Sequence, residues 1–287
     1  MNIRLKNKDM VYMMKNKPPP FYQALIQKLP FKKNAVAAAL GILCGRRIMA
    51  EVNQFSMKLD LREYIQRTMF LGMYEPEITA WFKHCLGSGD VFIDVGASFG
   101  YYTTLAATLV GPSGKVFAFE PSPIASKVIE EAVEDAAARN IMLTKAAVGK
   151  EKGSTSLFLP TTQYLHSPSI MPSDPTFVPI QIPVIALDQF EPLQNVPKIK
   201  LVKMDVEGYE PDVLAGMENL IKARRVENII CEFNSWWLNR NSTTPKQLLE
   251  RFMDYGYRIC MQTELQENLK GHHGELFNLQ NIWFSIS

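Results

Sequence analysis

Short apolar runs in this 287-residue chain repeatedly end on an acid. Asp94 closes the first, in "VFIDVGASFGYYTTLAA", and Gly96 and Gly100 follow before a helical period begins. Glu120 closes "KVFAFE". In open α/β sheets ligands bind beyond the carboxyl ends of the strands. Glycines there let the backbone turn tightly and let a ligand approach, and the next helix points its positive N-terminus at the site. A dinucleotide fits poorly, because a GxGxxG pattern aligned on Gly96 needs glycines where Ser98 and Tyr101 stand. A carboxylate at Asp94 would also crowd a pyrophosphate. A cationic ligand suits that acid better, and S-adenosylmethionine carries an ammonium and a sulfonium but no phosphate. Glu120 can accept both hydroxyls of a ribose.

A second acidic group lies in "KMDVEGYE", Lys203 to Glu210. Asp205 and Glu207 alternate along an extended chain and would share a face. Neighbouring carboxylates raise one another's pKa, which suits a proton acceptor. They could equally hold a divalent cation, or serve as helix N-terminal acids favoured by the dipole. Glu232 in "ICEFN" would lie beside them in a parallel sheet, and Trp236 and Trp237 after it would either stack on a sugar ring or pack. His166 falls in a Ser/Thr/Pro-rich stretch and is a further candidate base. His272 and His273 are adjacent and make a poor metal pair, so no metal is expected. His84 would face solvent or pack.

The elements that must position these residues form an α/β pattern from Gly89 onward. Strands are expected at 91–95, 115–120, 141–148, 199–205, 227–233, 257–262 and 281–286. Ser122 caps one helix with Pro123 in its first turn. Thr244-Pro245 opens another, with Leu248, Leu249, Phe252 and Met253 facing inward. The last two strands lack a helical crossover, so the final strand should run antiparallel. Residues 150–198 interrupt the pattern with an inserted β-hairpin around a long loop, read as a substrate-facing lid. Residues 1–20 read as a flexible basic arm that could touch an acidic membrane surface, residues 21–85 as a helical cap, and 86–287 as the catalytic domain. With 47% hydrophobic residues and a net charge of +2, the chain reads as globular and lacks the charge of a nucleic-acid binder. Four cysteines without a CxxC pair suggest a reduced, cytoplasmic protein. The apolar stretch "NAVAAALGILCG" is too short to span a membrane.

Taken together, "DVGASFGYYT", "FAFEPSP", "AAVG", "ALDQF", "KMDVEGYE" and "ICEFN" resemble, in order and spacing, the FkbM family of S-adenosylmethionine-dependent methyltransferases. "MYEPEITAWF" is similar to the family's lead-in helix, and the likeness covers about residues 60–287. It implies a Rossmann-like class I methyltransferase fold, with a seven-stranded, mostly parallel sheet whose last strand is antiparallel, plus an N-terminal helical extension. It implies that Asp94, Gly96 and Gly100 line the methionine end of S-adenosylmethionine, that Glu120 holds the ribose, and that Asp205 lies near the transferring methyl. Glu75, Ala97, Ser98, Tyr101, Pro121 and Ala147 complete the expected cofactor set. The implied reaction is in-line methyl transfer to a hydroxyl of a sugar, glycan or other small-molecule acceptor. Asp205, Glu207, Glu232 or His166 would act as base. The alternatives are a cofactor-binding partner protein without catalysis and an N-methyltransferase, although no "DPPY"-like signature is present.

Overall fold

The computed structural model describes residues 20–28, 33–43, 47–159, 177–270 and 276–286. The basic arm, the loop carrying His166, and His272-His273 lie outside the described residues. Helices α1 (Pro20–Gln27) and α2 (Lys33–Leu43) precede a hairpin of β1 (Ile48–Val52) and β2 (Phe55–Leu59). This hairpin interrupts the helical cap expected over 21–85. In β2, Phe55, Met57 and Leu59 are buried while Ser56 and Lys58 are exposed, the period of two of a half-buried strand. Val52 pairs with Phe55, so Asn53 and Gln54 alone make the turn, both with positive φ. That is the backbone of a type I′ turn, here built without glycine. The Asn53 amide donates to the Tyr101 carbonyl at 2.9 Å, and its own carbonyl accepts from Thr108 at 2.7 Å, which docks the hairpin on the central domain. Buried Gln23 bonds backbone groups of Glu51 and Phe70, joining α1 to the hairpin and to the next helix.

That helix, α3 (Tyr64–Leu71), is capped by the Glu63 side chain and stopped by left-handed Gly72. After α4 (Pro76–Cys85), the βα alternation begins with β3 (Val91–Val95), α5 (Tyr101–Val110), β4 (Lys115–Phe119), α6 (Pro123–Asp135) and β5 (Ile141–Thr144). Ser122 caps α6 as its sequence predicts. The expected 141–148 strand divides. Its end, β6 (Ala147–Val148), leaves the main sheet to join β7 (Gly153–Leu159) and β8 (Val178–Ile185), which pair as the expected antiparallel hairpin. The chain continues through β9 (Ile199–Met204), α7 (Glu210–Ala215), α8 (Glu218–Lys222), β10 (Val226–Asn234), α9 (Ser235–Arg240), α10 (Pro245–Asp254), β11 (Tyr257–Gln262), β12 (Gln266–Lys270) and β13 (Leu276–Ile286).

The main sheet runs β11-β13-β10-β9-β3-β4-β5, with β12 added alongside β13 as an eighth strand. Only β13 in the seven-strand path is antiparallel to its neighbours. This is the Rossmann-like, mostly parallel arrangement that the resemblance implies. From β3 the chain moves outward to β4 and β5, then returns to β9 on the other side. The carboxyl ends of β3 and β9 therefore flank the point where strand order reverses, the place where such sheets bind ligands. Successive residues feed opposite faces: Phe92 and Leu201 pack in one core, Ile93 and Val202 in the other.

Helix α10 closes the second core. Its capping box is complete, with the Thr244 hydroxyl on the Gln247 N–H and the Gln247 side chain on the Thr244 N–H. Leu248 and Phe252, one turn apart, are fully buried. Met253, expected to face inward, is exposed because it lies off that stripe. Phe252 stacks on Phe284 of β13 with centroids 4.0 Å apart. Truncating Phe252 to Ala should cost about 3–5 kcal/mol, read as a lowered denaturant midpoint with unchanged donor affinity in the surviving folded protein.

Candidate active site

Asp94 and Lys203 are register partners on the adjacent parallel strands β3 and β9, so their side chains leave the same face of the sheet at one level. Asp94 is 1% exposed. Its Oδ2 accepts a hydrogen bond from the Thr103 hydroxyl at 2.6 Å, while Oδ1 has no partner among the described residues. Burial pushes the Asp94 carboxyl up to about 6, against the opposing pull of Lys203 and Thr103. The two glycines beyond it answer first to protein contacts rather than to a ligand. A Cβ on Gly96 would stand 2.0 Å from the Asp205 carbonyl oxygen, and one on Gly100 would stand 2.7 Å from Ile129 Cγ1. Both also have positive φ.

A small cleft opens here, at the carboxyl ends of β3 and β9. Of the expected cofactor residues, Asp94, Gly96, Ala97, Ser98, Tyr101 and Asp205 line it. Glu120 stands behind the turn. Its Oε2 accepts from the Ser98 N–H and its Oε1 from the Ser122 N–H, both at 2.7 Å. It thus braces Ser98, a non-glycine residue held at φ 50. Burial raises Glu120 to about 7 although both amide bonds pull the other way. Half-buried Pro121 adjoins it. Ala147 lies apart, packed against Leu157 and Ile182 in the small sheet. Gly100, Glu120, Pro121 and Ala147 are not part of the cleft lining.

Lys203 is the residue that the sequence reading passed over. It is 2% exposed, and its Nζ bonds Asp205 Oδ2 at 2.7 Å and sits 5.0 Å from the Tyr102 ring centre. Burial pulls this lysine down, but Asp205, Glu75 and Asp94 outweigh burial and leave it raised above the ordinary lysine value. Tyr102 in turn donates its hydroxyl to Glu75 Oε2 at 2.7 Å. Glu75 is therefore tied to this cluster from outside the cleft lining, and burial raises its pKa while Lys203 opposes. The sequence signal was available: a lysine inside "IKLVKMD", two residues before Asp205, must share that acid's face and needs a partner when buried.

Beyond Met204 the chain turns instead of extending, and Glu207 takes a left-handed φ of 53. The strand-like alternation expected for Asp205 and Glu207 is therefore absent. Glu210 holds this turn: its Oε1 accepts from the Val206 and Gly208 N–H groups at 3.2 Å each. Burial lifts Glu210 to about 7. Glu232, at the end of β10, keeps part of its surface open to solvent although protein surrounds it closely. Burial first, and then the charges of Asp205, Glu207 and Glu210, hold its carboxyl well above the usual carboxylate range. Trp236 and Trp237 are buried edge-to-face at 4.2 Å, with the Arg240 guanidinium 3.6 Å from the Trp236 ring centre. They pack, and their faces are not offered to a sugar. No cluster of three or more metal-ligating side chains exists among the described residues.

These carboxyls predict a pH dependence. Asp94, Glu120 and Glu210 have folded-state values above their ordinary ones, so their contribution to stability is complete below about pH 4 and is lost as pH rises through about 6–7. The ligand-free protein should unfold at higher temperature near pH 5 than near pH 8. Each carboxyl should be worth on the order of 1–3 kcal/mol, and Glu210→Gln should flatten the profile in a calorimetric scan.

Comparison with known proteins places this arrangement. The sequence profile described as the methyltransferase FkbM domain matches residues 94–259. The chain is 29% identical over 146 residues to the hexuronic acid methyltransferase AglP of Haloferax volcanii, covering 51% of this chain and 56% of that protein. It thus spans about half the length of this curated relative. Among solved structures it is similar to the methyltransferase FkbM of Methylobacillus flagellatus KT, with a TM-score of 0.43 and 15% identity over 92% of this chain and 58% of that one. It is also similar to an S-adenosylmethionine-dependent O-methyltransferase of Thermotoga maritima, with a TM-score of 0.43 and 15% identity over 74% and 65%. With a profile match that runs from Asp94 at the cleft to the edge strand β11 and takes in more than half its length, the chain belongs to the FkbM methyltransferase family.

Proposed function

We propose that the protein transfers a methyl group from S-adenosylmethionine to a hydroxyl oxygen of a sugar or glycan. The observation that carries this reading is the cleft's charge, in a domain of this family. Asp94 and Asp205 line it and Glu75 stands near, against the single ammonium of Lys203 among the described lining residues. A buried excess of carboxylate needs a counter-charge, and Asp94 Oδ1 is left without a partner. S-adenosylmethionine meets both demands, with an ammonium and a sulfonium. When bound, it supplies an electrophilic methyl group.

Asp94 would take the donor's ammonium, and Glu120, behind Ser98, would accept its ribose hydroxyls. The acceptor hydroxyl must lose a proton as its oxygen attacks, and Glu232 is the best-suited base. Its carboxyl is raised well above the ordinary range by burial and by three neighbouring acids, and it retains an open surface. Asp205 already holds the Lys203 ammonium. A sugar acceptor is supported by the likeness to a protein named for hexuronic acid methylation. No helix among the described residues is long and apolar enough to cross a membrane.

The test pairs labelled S-adenosylmethionine with uronic acids, neutral sugars and glycolipids. Label should enter at least one sugar as an alkali-stable ether. Glu232→Gln should lower kcat by about 10²–10⁴-fold while donor affinity stays within about threefold of wild type. Asp94→Asn should weaken donor binding by about tenfold or more. Wild-type turnover by Glu232→Gln would move the base elsewhere.

A further inference from the structure

We propose that Lys203 is a positioning residue for the methyl donor: its buried ammonium gathers the Asp94 and Asp205 carboxylates at the cleft and ties them, through Tyr102, to Glu75 at the head of α4. The inference rests on the donor assignment above.

Four observations converge on this lysine. Asp94 is its register partner on β3. Asp205, two residues on, receives its hydrogen bond at 2.7 Å. The Tyr102 ring on α5 lies 5.0 Å from its Nζ. The hydroxyl of that same tyrosine holds Glu75 at 2.7 Å. Glu75 caps α4 with φ 36 and ψ 65, a left-handed conformation in a non-glycine residue. Such backbone persists where surrounding contacts over-determine it, and here those contacts are the Tyr102 hydroxyl and the lysine's charge. The titratable groups facing Lys203 are thus Asp94 from β3, Asp205 just beyond β9, Glu75 from the α4 cap, Tyr102 from α5, and Cys231 and Glu232 from β10.

One ammonium among three carboxylates leaves net negative charge facing the cleft. Without the ammonium, buried Asp94 would neutralise itself by taking up a proton, and its attraction for a cationic donor would go. Asp94 shows the balance, since burial lifts it to about 6 while Lys203 is the foremost opposing influence. Donor affinity should therefore fall as pH drops through about 6 in the wild type. Removing Lys203 should move that midpoint upward.

The experiment is titration calorimetry of the full chain with S-adenosylmethionine from pH 5.5 to 9. Lys203→Met, close in volume, should raise the midpoint by about one pH unit, and so weaken binding about twofold at pH 7 and about eightfold at pH 5.5. Lys203→Arg should restore the wild-type midpoint. Asp205→Asn should lower it, because the Asp205 charge opposes ionisation of Asp94. A purely structural role for Lys203 would change thermal stability and leave the midpoint in place, and that result overturns the proposal. If the wild type binds no donor at any pH, the donor assignment itself fails. If Lys203→Met shows no cooperative thermal transition, Asp205→Asn decides: a lowered midpoint supports the charge cluster, and an unmoved one overturns it.

Discussion

The turn after β3 and the turn after β9 are pressed together at Gly96, where even a methyl group would stand 2.0 Å from the Asp205 carbonyl oxygen. The rest of the site follows from that contact. The Asp205 N–H reaches the Val95 carbonyl at 3.1 Å, while the Gly96 and Ala97 N–H groups share the Phe119 carbonyl at 3.0 Å. Three strand ends are thereby locked at one point of the sheet, where strand order reverses. Only with the backbones this close can Asp94, Glu120, Lys203 and Asp205 meet. Glycine here is a packing requirement before it is a ligand requirement.

The acids gathered at this point divide by what they bind. Glu120 accepts a backbone N–H on each oxygen and Glu210 accepts two on Oε1, so both hold turns in place, while Glu210 Oε2 has no partner among the described residues. Asp205 pairs with an ammonium. Asp94 has one oxygen engaged and one without a partner, and Glu232 stands with its carboxyl pushed up by its neighbours. Carboxylate side chains thus supply both scaffold and counter-charge here, and the environment decides which. Bringing so many carboxyls out of water is costly. Lys203 and the backbone amides offset part of that cost, and a cationic ligand offsets more.

Much of this was legible in the sequence. Apolar runs ending in Asp94, Glu120 and Glu232 located strand ends correctly, Ser122 and Thr244 marked helix starts, and "TELQENLKGHHGELFNLQ" announced the antiparallel return. The β1-β2 hairpin was hidden because Asn53-Gln54 makes its turn without glycine, although the alternation of Phe55, Ser56, Met57, Lys58 and Leu59 was there to read. Glu207 misled because local spacing implies a face only while the chain stays extended, and the extension ends at Met204, with Glu207 itself left-handed. The two tryptophans, open to either stacking or packing in the sequence, pack. Residue type announces a ring able to stack, but only packing decides whether its face is open. Lys203 was visible as a letter and invisible as a partner, because its meaning depends on a strand 109 residues earlier in the chain.

The N-terminal segment belongs to the site, though it lies outside the span that the family profile matches. Ile65, Met69 and Tyr74 line the cleft from α3 and the corner before α4, whereas the profile begins at Asp94. Their placement is relayed through polar contacts: Gln23 fixes α1 against the hairpin and α3, Asn53 fixes the hairpin on α5, and Glu75 closes the circuit through Tyr102. The cleft wall is thus made of two parts. One carries the acids inside the span that the family profile matches, and the other is an apolar and aromatic surface held by the N-terminal contacts. The shape left for whatever approaches the donor depends on the second, so the apparent cap is a structural part of the pocket and not an appendage.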